Sequence, residues 1–326
     1  MKINFTKINI LSVLILFVAC SGSNVNTNLN NWNNKLARQK YGEVARNICN
    51  HHNPVYLGLG IEVNTYYAKN PEDFDRFVEF YKKLYDEIKS AGNCTETMIF
   101  VTFQLEQLKG LGTGVGFSGI SQWDVFEKFD GKLDLLVFTS YPEFEYIKPA
   151  DIPQNYYDVI YDNLPLNLRD KKIGISEFGW NSRQNLIPDA NNSVDTQADF
   201  ITRFAEITDE LNSTGKLEFA VWIFMHDFQI GDFMVGSSFG LIEQNGTHKD
   251  YLPGYTIMDH FLQLKHFQGY KVGVAPIPRN FPEANETDWT NLYSIIDGTF
   301  DIMTAQQHWY DSTVEPGEIP QAFQDF

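Results

Sequence analysis

Apolar runs typical of buried strands alternate with helical patterns along most of this chain. Five such strands are predicted, each followed by a loop or an amphipathic segment: residues 55–64, 97–104, 133–141, 171–181 and 218–227. Strands that are apolar on both faces and alternate with helices are typical of a parallel sheet covered by helices. We therefore predict an α/β fold and a single large domain over residues 35–326.

The amino terminus has the pattern of a processing signal. Lys2 and Lys7 precede an apolar run over residues 8–19, which is too short to span a bilayer and has the length of a signal-peptide core. Residues 17–20 resemble a bacterial lipobox, with Cys20 as the lipidated residue. We predict a lipoprotein signal peptide over 1–20, a flexible tether over 21–34, and an extracytoplasmic protein that contacts the membrane only through its lipid anchor.

Charge and composition limit the partners. The formal net charge is −17, which argues against nucleic acid and against an anionic membrane surface. Aromatic residues make up 15% of the chain and suit flat, partly apolar ligands such as sugar rings. Export from the reducing cytosol permits a disulfide, and we predict one between Cys49 and Cys94, near the ends of two consecutive helices.

Two glutamates stand where predicted strands end. Glu62 lies near the end of the run at 55–64, and Glu177 lies where the apolar run within 171–181 ends. In folds built from parallel strands and helices, the carboxyl ends of the strands carry the active site. Two adjacent carboxyl groups suit cleavage of a glycosidic bond, in which one protonates the leaving oxygen and the other attacks the anomeric carbon. The pattern therefore predicts carbohydrate as the substrate.

Four motifs carry a resemblance to a known family: LGIEVN around Glu62, FTSYP at 138–142, ISEFGW around Glu177 and AVWIFMHD at 220–227. They resemble the retaining glycoside hydrolases with (β/α)8 TIM-type barrels, especially the endo-galactanase-like members. The resemblance implies that Glu62 is the acid/base after the fourth strand and that Glu177 is the nucleophile after the seventh. It also implies a hydrogen bond from Tyr141 to the nucleophile and a double-displacement mechanism. Ile61 stands where the family usually has Asn.

Further residues at the predicted strand ends are candidates for substrate binding. Asn64 is a substitute for the missing Asn as a contact to the sugar 2-hydroxyl, and Trp222 is a candidate floor of the sugar site. The full set is Asn64, Gln104, Tyr141, Trp180, Trp222, Asp227 and His308. For the tryptophans, a position in the core is an equal alternative.

The resemblance implies a permuted order of strands. Residues 35–266 correspond to strands four to eight, whereas residues 267–326, with strands predicted at 270–278 and 300–308, correspond to strands one and two. No segment of the mature chain corresponds to strand three. We therefore predict a circularly permuted barrel that lacks one strand, with residues 300–308 next to a gap beside 55–64 and two unpaired edges.

Other interpretations remain open at this point. His226, Asp227 and His308 have the residue types of metal ligands, but the spacing lacks any HxH or HExxH motif, so no metal and no cofactor is predicted. Glu106, Glu143 and Glu145 are predicted to line the rim, where one could replace Glu62 as the acid. An alternative function is a surface lipoprotein with a degenerate barrel that binds glycans without cleaving them. The oligomeric state is not predicted.

Overall fold

The computed structural model describes the backbone of eight segments: residues 12–15, 32–92, 94–112, 117–183, 192–227, 238–268, 272–274 and 302–306. The strands are β1 (Ser12–Ile15), β2 (Tyr56–Gly58), β3 (Met98–Phe100), β4 (Thr102–Gln104), β5 (Leu136–Ser140), β6 (Ile173–Phe178), β7 (Leu217–Trp222), β8 (Asp250–Leu252), β9 (Tyr255–Thr256), β10 (Val272–Val274) and β11 (Ile302–Gln306). The α-helices are α1 (Lys35–His52), α2 (Val63–Lys69), α3 (Pro71–Ser90), α4 (Leu105–Leu108), α5 (Asp158–Asn163), α6 (Val194–Ser213) and α7 (Ile257–Gln268).

Local sequence explains where the long helices begin and end. Asn70 followed by Pro71 predicts a helix start, and the structure has one there: the Asn70 side chain accepts a hydrogen bond from the backbone N–H of Asp73, and Pro71 occupies the first turn. A capping box formed by Ser193 and Thr196 starts α6. Asn53 ends α1 in the left-handed conformation.

Several elements differ from the sequence prediction. The strand expected over 55–64 ends at Gly58, and the helix α2 begins directly after Glu62. The sequence pattern at 122–129 predicts a short helix, and this segment forms a 3-10 helix, Trp123–Phe129. The antiparallel hairpin of β8 and β9 was not predicted from the sequence. The sequence pattern at 286–297 also predicts a helix, and these residues lie outside the described ranges.

Nine strands form one parallel sheet in the order β3-β2-β1-β11-β10-β7-β6-β5-β4. The strand β1 pairs with β11 on one side and with β2 on the other. In the full chain, residues of the leader therefore occupy the place where a gap was predicted, whereas a gap in the mature chain remains a prediction. A continuous apolar run serves equally well as a signal-peptide core and as a buried parallel strand, so the pattern alone could not separate the two. Cleavage of residues 1–20 remains a prediction.

The first and last strands in this order, β3 and β4, are adjacent in the sequence. Only Val101 separates β3, which pairs with β2, from β4, which pairs with β5. The amide of Thr102 continues the pairing by donating to the carbonyl oxygen of Gly60, at 2.8 Å.

Side chains on the two faces of the sheet belong to separate cores. One face packs against the helices: Phe178 stacks on Phe204 of α6 with ring centroids 3.8 Å apart. On the other face the strands pack against one another, and Tyr56 of β2 meets Phe219 of β7 at 5.0 Å. Three strands separate β2 from β7 in the sheet order, so the sheet curls strongly to bring these rings together.

Cys49 and Cys94 form the predicted disulfide, with their Cα atoms 5.6 Å apart. It links the last turns of α1 to the loop after α3. None of the helices in the described ranges is both long enough and apolar enough to cross a membrane.

Candidate active site

An irregularity in β6 sets the direction of Glu177. Phe138 pairs with Ile175, but the next residue of β5, Thr139, pairs with Glu177, so β6 contains one extra residue at Ser176. A shift of one residue moves a strand's side chains to the opposite face. The bulge therefore places Glu177 beside Thr139, whereas Phe178 faces the helix α6.

Glu62 has an unusual backbone conformation. Its φ of 44° and ψ of 44° are left-handed, a region that residues other than glycine rarely adopt. The amide of Glu62 donates to Thr102 Oγ1 at 2.8 Å, and its carbonyl oxygen accepts from the amide of Thr65 at 2.8 Å. These contacts hold a conformation that costs about 1–3 kcal/mol, and such strain is concentrated at functional sites.

Three consecutive residues after the middle of β5 connect the site's carboxylates. Thr139 Oγ1 donates to Glu62 Oε1 at 2.8 Å, and the Tyr141 hydroxyl donates to Glu177 Oε2 at 2.6 Å. Between them, Ser140 Oγ donates to Glu106 Oε1 at 3.0 Å. The hydrogen bond predicted between Tyr141 and Glu177 is confirmed, and the segment 139–141 brings both predicted catalytic residues to one place.

Burial and neighbouring charge shape the acidity of the site. Burial raises the pKa of Glu62 to about 7, with a smaller contribution from the charge of Glu106 and an opposing one from the Thr139 hydroxyl. Burial also raises the pKa of Tyr141 well above its usual range, and the charges of Glu177 and Glu62 add to this. Near neutral pH, Glu62 is thus able both to donate and to accept a proton, as a general acid/base must.

The other predicted carboxylates lie in the interior rather than at a rim. Glu106 is fully buried and accepts hydrogen bonds from Ser140, the Tyr141 amide, Tyr156 and Gln104. Glu143 is buried and accepts hydrogen bonds from the backbone amide of Asn181 and the side-chain amide of Asn192. Glu145 pairs with Lys109 at 3.0 Å. The prediction of rim positions for Glu106 and Glu143 is wrong, because polar donors compensate for their burial.

The side chains of Asn64 and Gln104 form hydrogen bonds to other residues of the protein. The Asn64 amide accepts from Gln104 N at 2.8 Å and donates to Gln104 O at 3.0 Å. The Gln104 side chain accepts from the amide of Gln107, at 2.6 Å, and donates to Glu106. Both side chains are fully buried, which favours a structural role; a contact to substrate remains a prediction.

Trp180 and Trp222 lie in the layer between sheet and helices. The ring of Trp222 meets Phe178 at 5.2 Å and Phe261 of α7 at 5.7 Å, and its indole N–H donates to the Phe239 carbonyl oxygen at 2.7 Å. Trp180 packs on Phe200 at 5.0 Å. Both tryptophans are fully buried, which favours the core interpretation over a sugar platform.

Asp227 belongs to a buried ionic cluster. Lys249, fully buried, donates to Asp227 Oδ1 at 2.8 Å and to Ser182 Oγ at 2.7 Å. Burial lowers the pKa of Lys249 to about 8. Within the described parts of the chain, no group of His, Cys, Asp and Glu side chains could hold a metal ion. Cys20 and His308 lie outside the described residues.

Sequence reasoning missed the aromatic side chains beside Tyr141. Phe239 stacks on the Tyr141 ring at 5.4 Å, and Phe144 lies against the same ring at 5.5 Å. Phe117 in turn contacts Phe144 at 5.9 Å and is partly exposed. The only signal in the sequence is the position of Phe144 just after FTSYP, since Phe239 reaches the site from a distant loop.

Comparisons with known proteins give structural likeness alone. No protein-family model and no curated protein matches the chain. Among solved structures, a glycoside hydrolase family 17 β-1,3-glucanosyltransferase from Rhizomucor miehei has a TM-score of 0.45 at 18% identity, over 65% of this chain and 68% of its own. A Bifidobacterium dentium β-glucuronidase reaches 0.49 at 13% identity, over 73% of this chain but only 35% of the enzyme. A GH113 β-1,4-mannanase reaches 0.37 at 16% identity, over 63% and 58%. TM-scores below 0.5 do not assign a function, so only the geometry of the site bears on what this protein does.

Proposed function

We propose that this protein is a glycoside hydrolase that cleaves a poly- or oligosaccharide by a retaining double displacement. The observation that carries the proposal is the segment 139–141, whose side chains hydrogen-bond both Glu62 and Glu177. Glu177 attacks the anomeric carbon as Glu62 protonates the leaving oxygen. Glu62 then takes a proton from water, which hydrolyses the glycosyl-enzyme.

The environments of the two residues suit these different roles. The raised pKa of Glu62 keeps a large fraction protonated near neutral pH, as the first step requires. Glu177 accepts a hydrogen bond from the Tyr141 hydroxyl, and such a donor stabilises a carboxylate and orients it for attack.

We also propose that the parallel sheet of the full chain closes into an eight-stranded barrel in permuted order, and that the mature chain, without residues 1–20 and therefore without β1, keeps seven of these strands. The continuity of 98–104 at both ends of the strand order and the contact of Tyr56 with Phe219 support closure. In this arrangement β3 and β4 count as one strand, and β2, β6 and β7 correspond to strands four, seven and eight. Export and lipidation at Cys20 complete the proposal; incorporation of a labelled fatty acid into the wild type but not into Cys20→Ala tests that part.

The test of the enzyme is a carbohydrate panel. It includes β-galactan, because the motifs resemble endo-galactanase-like members, and β-1,3-glucan, β-1,4-mannan and β-glucuronides, for which the similar structures are named. We expect Glu177→Gln to reduce turnover by at least about 10⁴-fold while glycan binding remains. The control is Glu206→Gln, on the outer helix α6, which should keep full activity.

Substrates with different leaving groups distinguish the roles of Glu62 and Glu177. Glu62→Gln should still be able to release an activated aryl leaving group, since this needs no proton, but should lose activity on natural linkages; Glu177→Gln should lose both. Full activity of Glu177→Gln would contradict the assignment. Glycan binding without cleavage by the wild type would instead support the alternative of a glycan-binding lipoprotein.

A further inference from the structure

Among the described residues, Thr139 is the one whose side chain hydrogen-bonds the Glu62 carboxylate, and neither chemical step of the double displacement assigns this hydroxyl a role of its own. The hydroxyl of Thr139 is buried and donates to Glu62 Oε1 at 2.8 Å. We propose that Thr139 is a positioning residue that aims the Glu62 carboxyl group and sets the pH at which it changes protonation. This inference rests on the proposed function, because it assigns Glu62 the role of acid/base.

The geometry makes this hydroxyl a selective partner of the ionised form. A threonine hydroxyl can donate one hydrogen bond, and here the Glu62 carboxylate accepts it. A donor stabilises the charged carboxylate more than the neutral acid, so this contact opposes the effect of burial. Without it, the carboxyl group would keep its proton to a higher pH.

The side chain is also held in place by the sheet. Thr139 lies in β5 next to Glu177 of β6, and both are buried. The Cα of Thr139 cannot move without disturbing Glu177 and the segment 139–141. The same strand therefore fixes the direction of the acid/base through Thr139 and of the nucleophile through Tyr141, two residues further on.

Other charged and titratable groups face Glu62 from neighbouring elements. Glu106 of α4 raises its pKa and Lys69 at the end of α2 lowers it. Glu62 in turn raises the pKa of Tyr141, whose hydroxyl is bonded to Glu177 of β6. A substitution at Thr139 leaves all four groups in the chain, so a change in the titration of Glu62 reports the loss of the hydroxyl.

The experiment is a direct titration of Glu62 by carbon-13 NMR, in protein labelled at the glutamate carboxyl carbons. The Glu62 signal is assigned by its absence in Glu62→Gln. We expect a midpoint near 7 in the wild type, roughly one pH unit higher in Thr139→Val, and near the wild-type value in Thr139→Ser, which keeps the hydroxyl.

The matched control is Thr208→Val, which removes an equally buried hydroxyl from α6, where it donates to the Phe204 carbonyl oxygen at 2.6 Å. It should leave the Glu62 midpoint unchanged. Thr139→Ala serves as a second variant if Thr139→Val does not fold. An unchanged Glu62 midpoint in a folded Thr139 variant without the hydroxyl would overturn the inference.

A kinetic arm separates this inference from the proposed function. On any substrate found in the panel, the alkaline limb of kcat/KM should move up by the same shift in Thr139→Val as in the titration, and return in Thr139→Ser. A shifted titration with no turnover by the wild type would overturn the hydrolase proposal but support Thr139 as the residue that sets Glu62 ionisation. Turnover by the wild type together with an unshifted Glu62 titration would support the hydrolase proposal and overturn the inference about Thr139.

Discussion

Glu62 combines a strained backbone with a desolvated side chain, and each feature has a separate cost. Its left-handed φ of 44° would be relaxed in glycine, which has no Cβ to clash. Its carboxyl group loses hydration on folding, which favours the protonated form. Substitution by glycine removes both costs, whereas glutamine removes only the charge.

Replacing Glu62 with glycine should stabilise the protein and abolish activity. We expect a gain of about 1 kcal/mol in the free energy of unfolding at pH 4, which lies below both the unfolded and the folded pKa of Glu62, so that its charge contributes little. Urea unfolding followed by fluorescence measures it. Asp130→Gly is the control, since Asp130 is exposed with a φ of 51° and lies at the end of the Trp123–Phe129 helix. It should gain stability with no loss of turnover; a loss of stability in Glu62→Gly would contradict the strain argument.

The raised pKa of Glu62 predicts that this residue lowers the free energy of unfolding at high pH but not at low pH. Between its unfolded value near 4.5 and its folded value of about 7, the folded state holds a proton that the unfolded state releases. Stability from this group is therefore fully present below pH 4.5 and is lost as the pH rises through 7. Glu62→Gln should equal the wild type near pH 4.5 and exceed it at pH 8 by roughly 1–3 kcal/mol. Equal unfolding midpoints of the two proteins at pH 8 would argue against a desolvated Glu62.

At the scale of elements, two cross-links join helices and loops that lie outside the parallel sheet. The disulfide ties α1 to the loop after α3 across a sequence separation of 45 residues. Lys249 ties the start of β8 to the loops that follow β6 and β7, through Ser182 and Asp227. Neither contributes an atom to the segment 139–141, so we expect both to affect stability more than chemistry.

Loss of the disulfide should lower the free energy of unfolding by about 2–4 kcal/mol, because the unfolded chain regains the freedom of the closed loop. The comparison is between Cys20→Ser and the same protein with Cys49→Ala and Cys94→Ala. Without reductant, Cys20→Ser should titrate no free thiol after unfolding. Two free thiols per chain would show that the bond does not form.

Replacing Lys249 with methionine should cost about 3–5 kcal/mol, since the buried Asp227 carboxylate then loses its buried cation and keeps the largely exposed Arg183, at 3.4 Å. The control is Lys128→Met, whose partner Asp75 is exposed and which should lose less than about 1 kcal/mol. Equal losses in the two variants, measured by thermal melting, would contradict a desolvated ion pair at Lys249.

At the scale of the whole molecule, the sheet depends on strands from both ends of the chain. The tail strands β10 and β11 lie between β7 and β1, and β1 lies between β11 and β2. Deleting residues 269–326 removes β10 and β11 and leaves unpaired edges on β7 and β1. We expect the truncated protein to lose cooperative melting and activity; a soluble, cooperative and active truncation would show that the tail is a separate unit.

The leader strand can be tested in the same way. Both proteins carry Cys20→Ser to prevent lipidation, and one begins at residue 1 whereas the other begins at residue 21. If β1 contributes to the folded sheet, the longer protein should melt at a higher temperature, because β2 and β11 keep a partner between them. Identical melting temperatures would show that β1 adds nothing and that the sheet tolerates its removal by processing.

The sequence alone determined the alternation of strands and helices, the start of α3 at Asn70 and Pro71, and the pair Glu62 and Glu177. These follow from local patterns: apolar runs, helix capping, and carboxylates at strand ends. Tertiary structure alone decided the bulge at Ser176 that turns Glu177 toward Thr139, the left-handed backbone of Glu62, and the burial of Trp222 behind the sheet. It also placed Ser12–Ile15 in the sheet. Register, face and burial depend on partners far away in sequence, because a single extra residue reverses which side of a strand a side chain occupies.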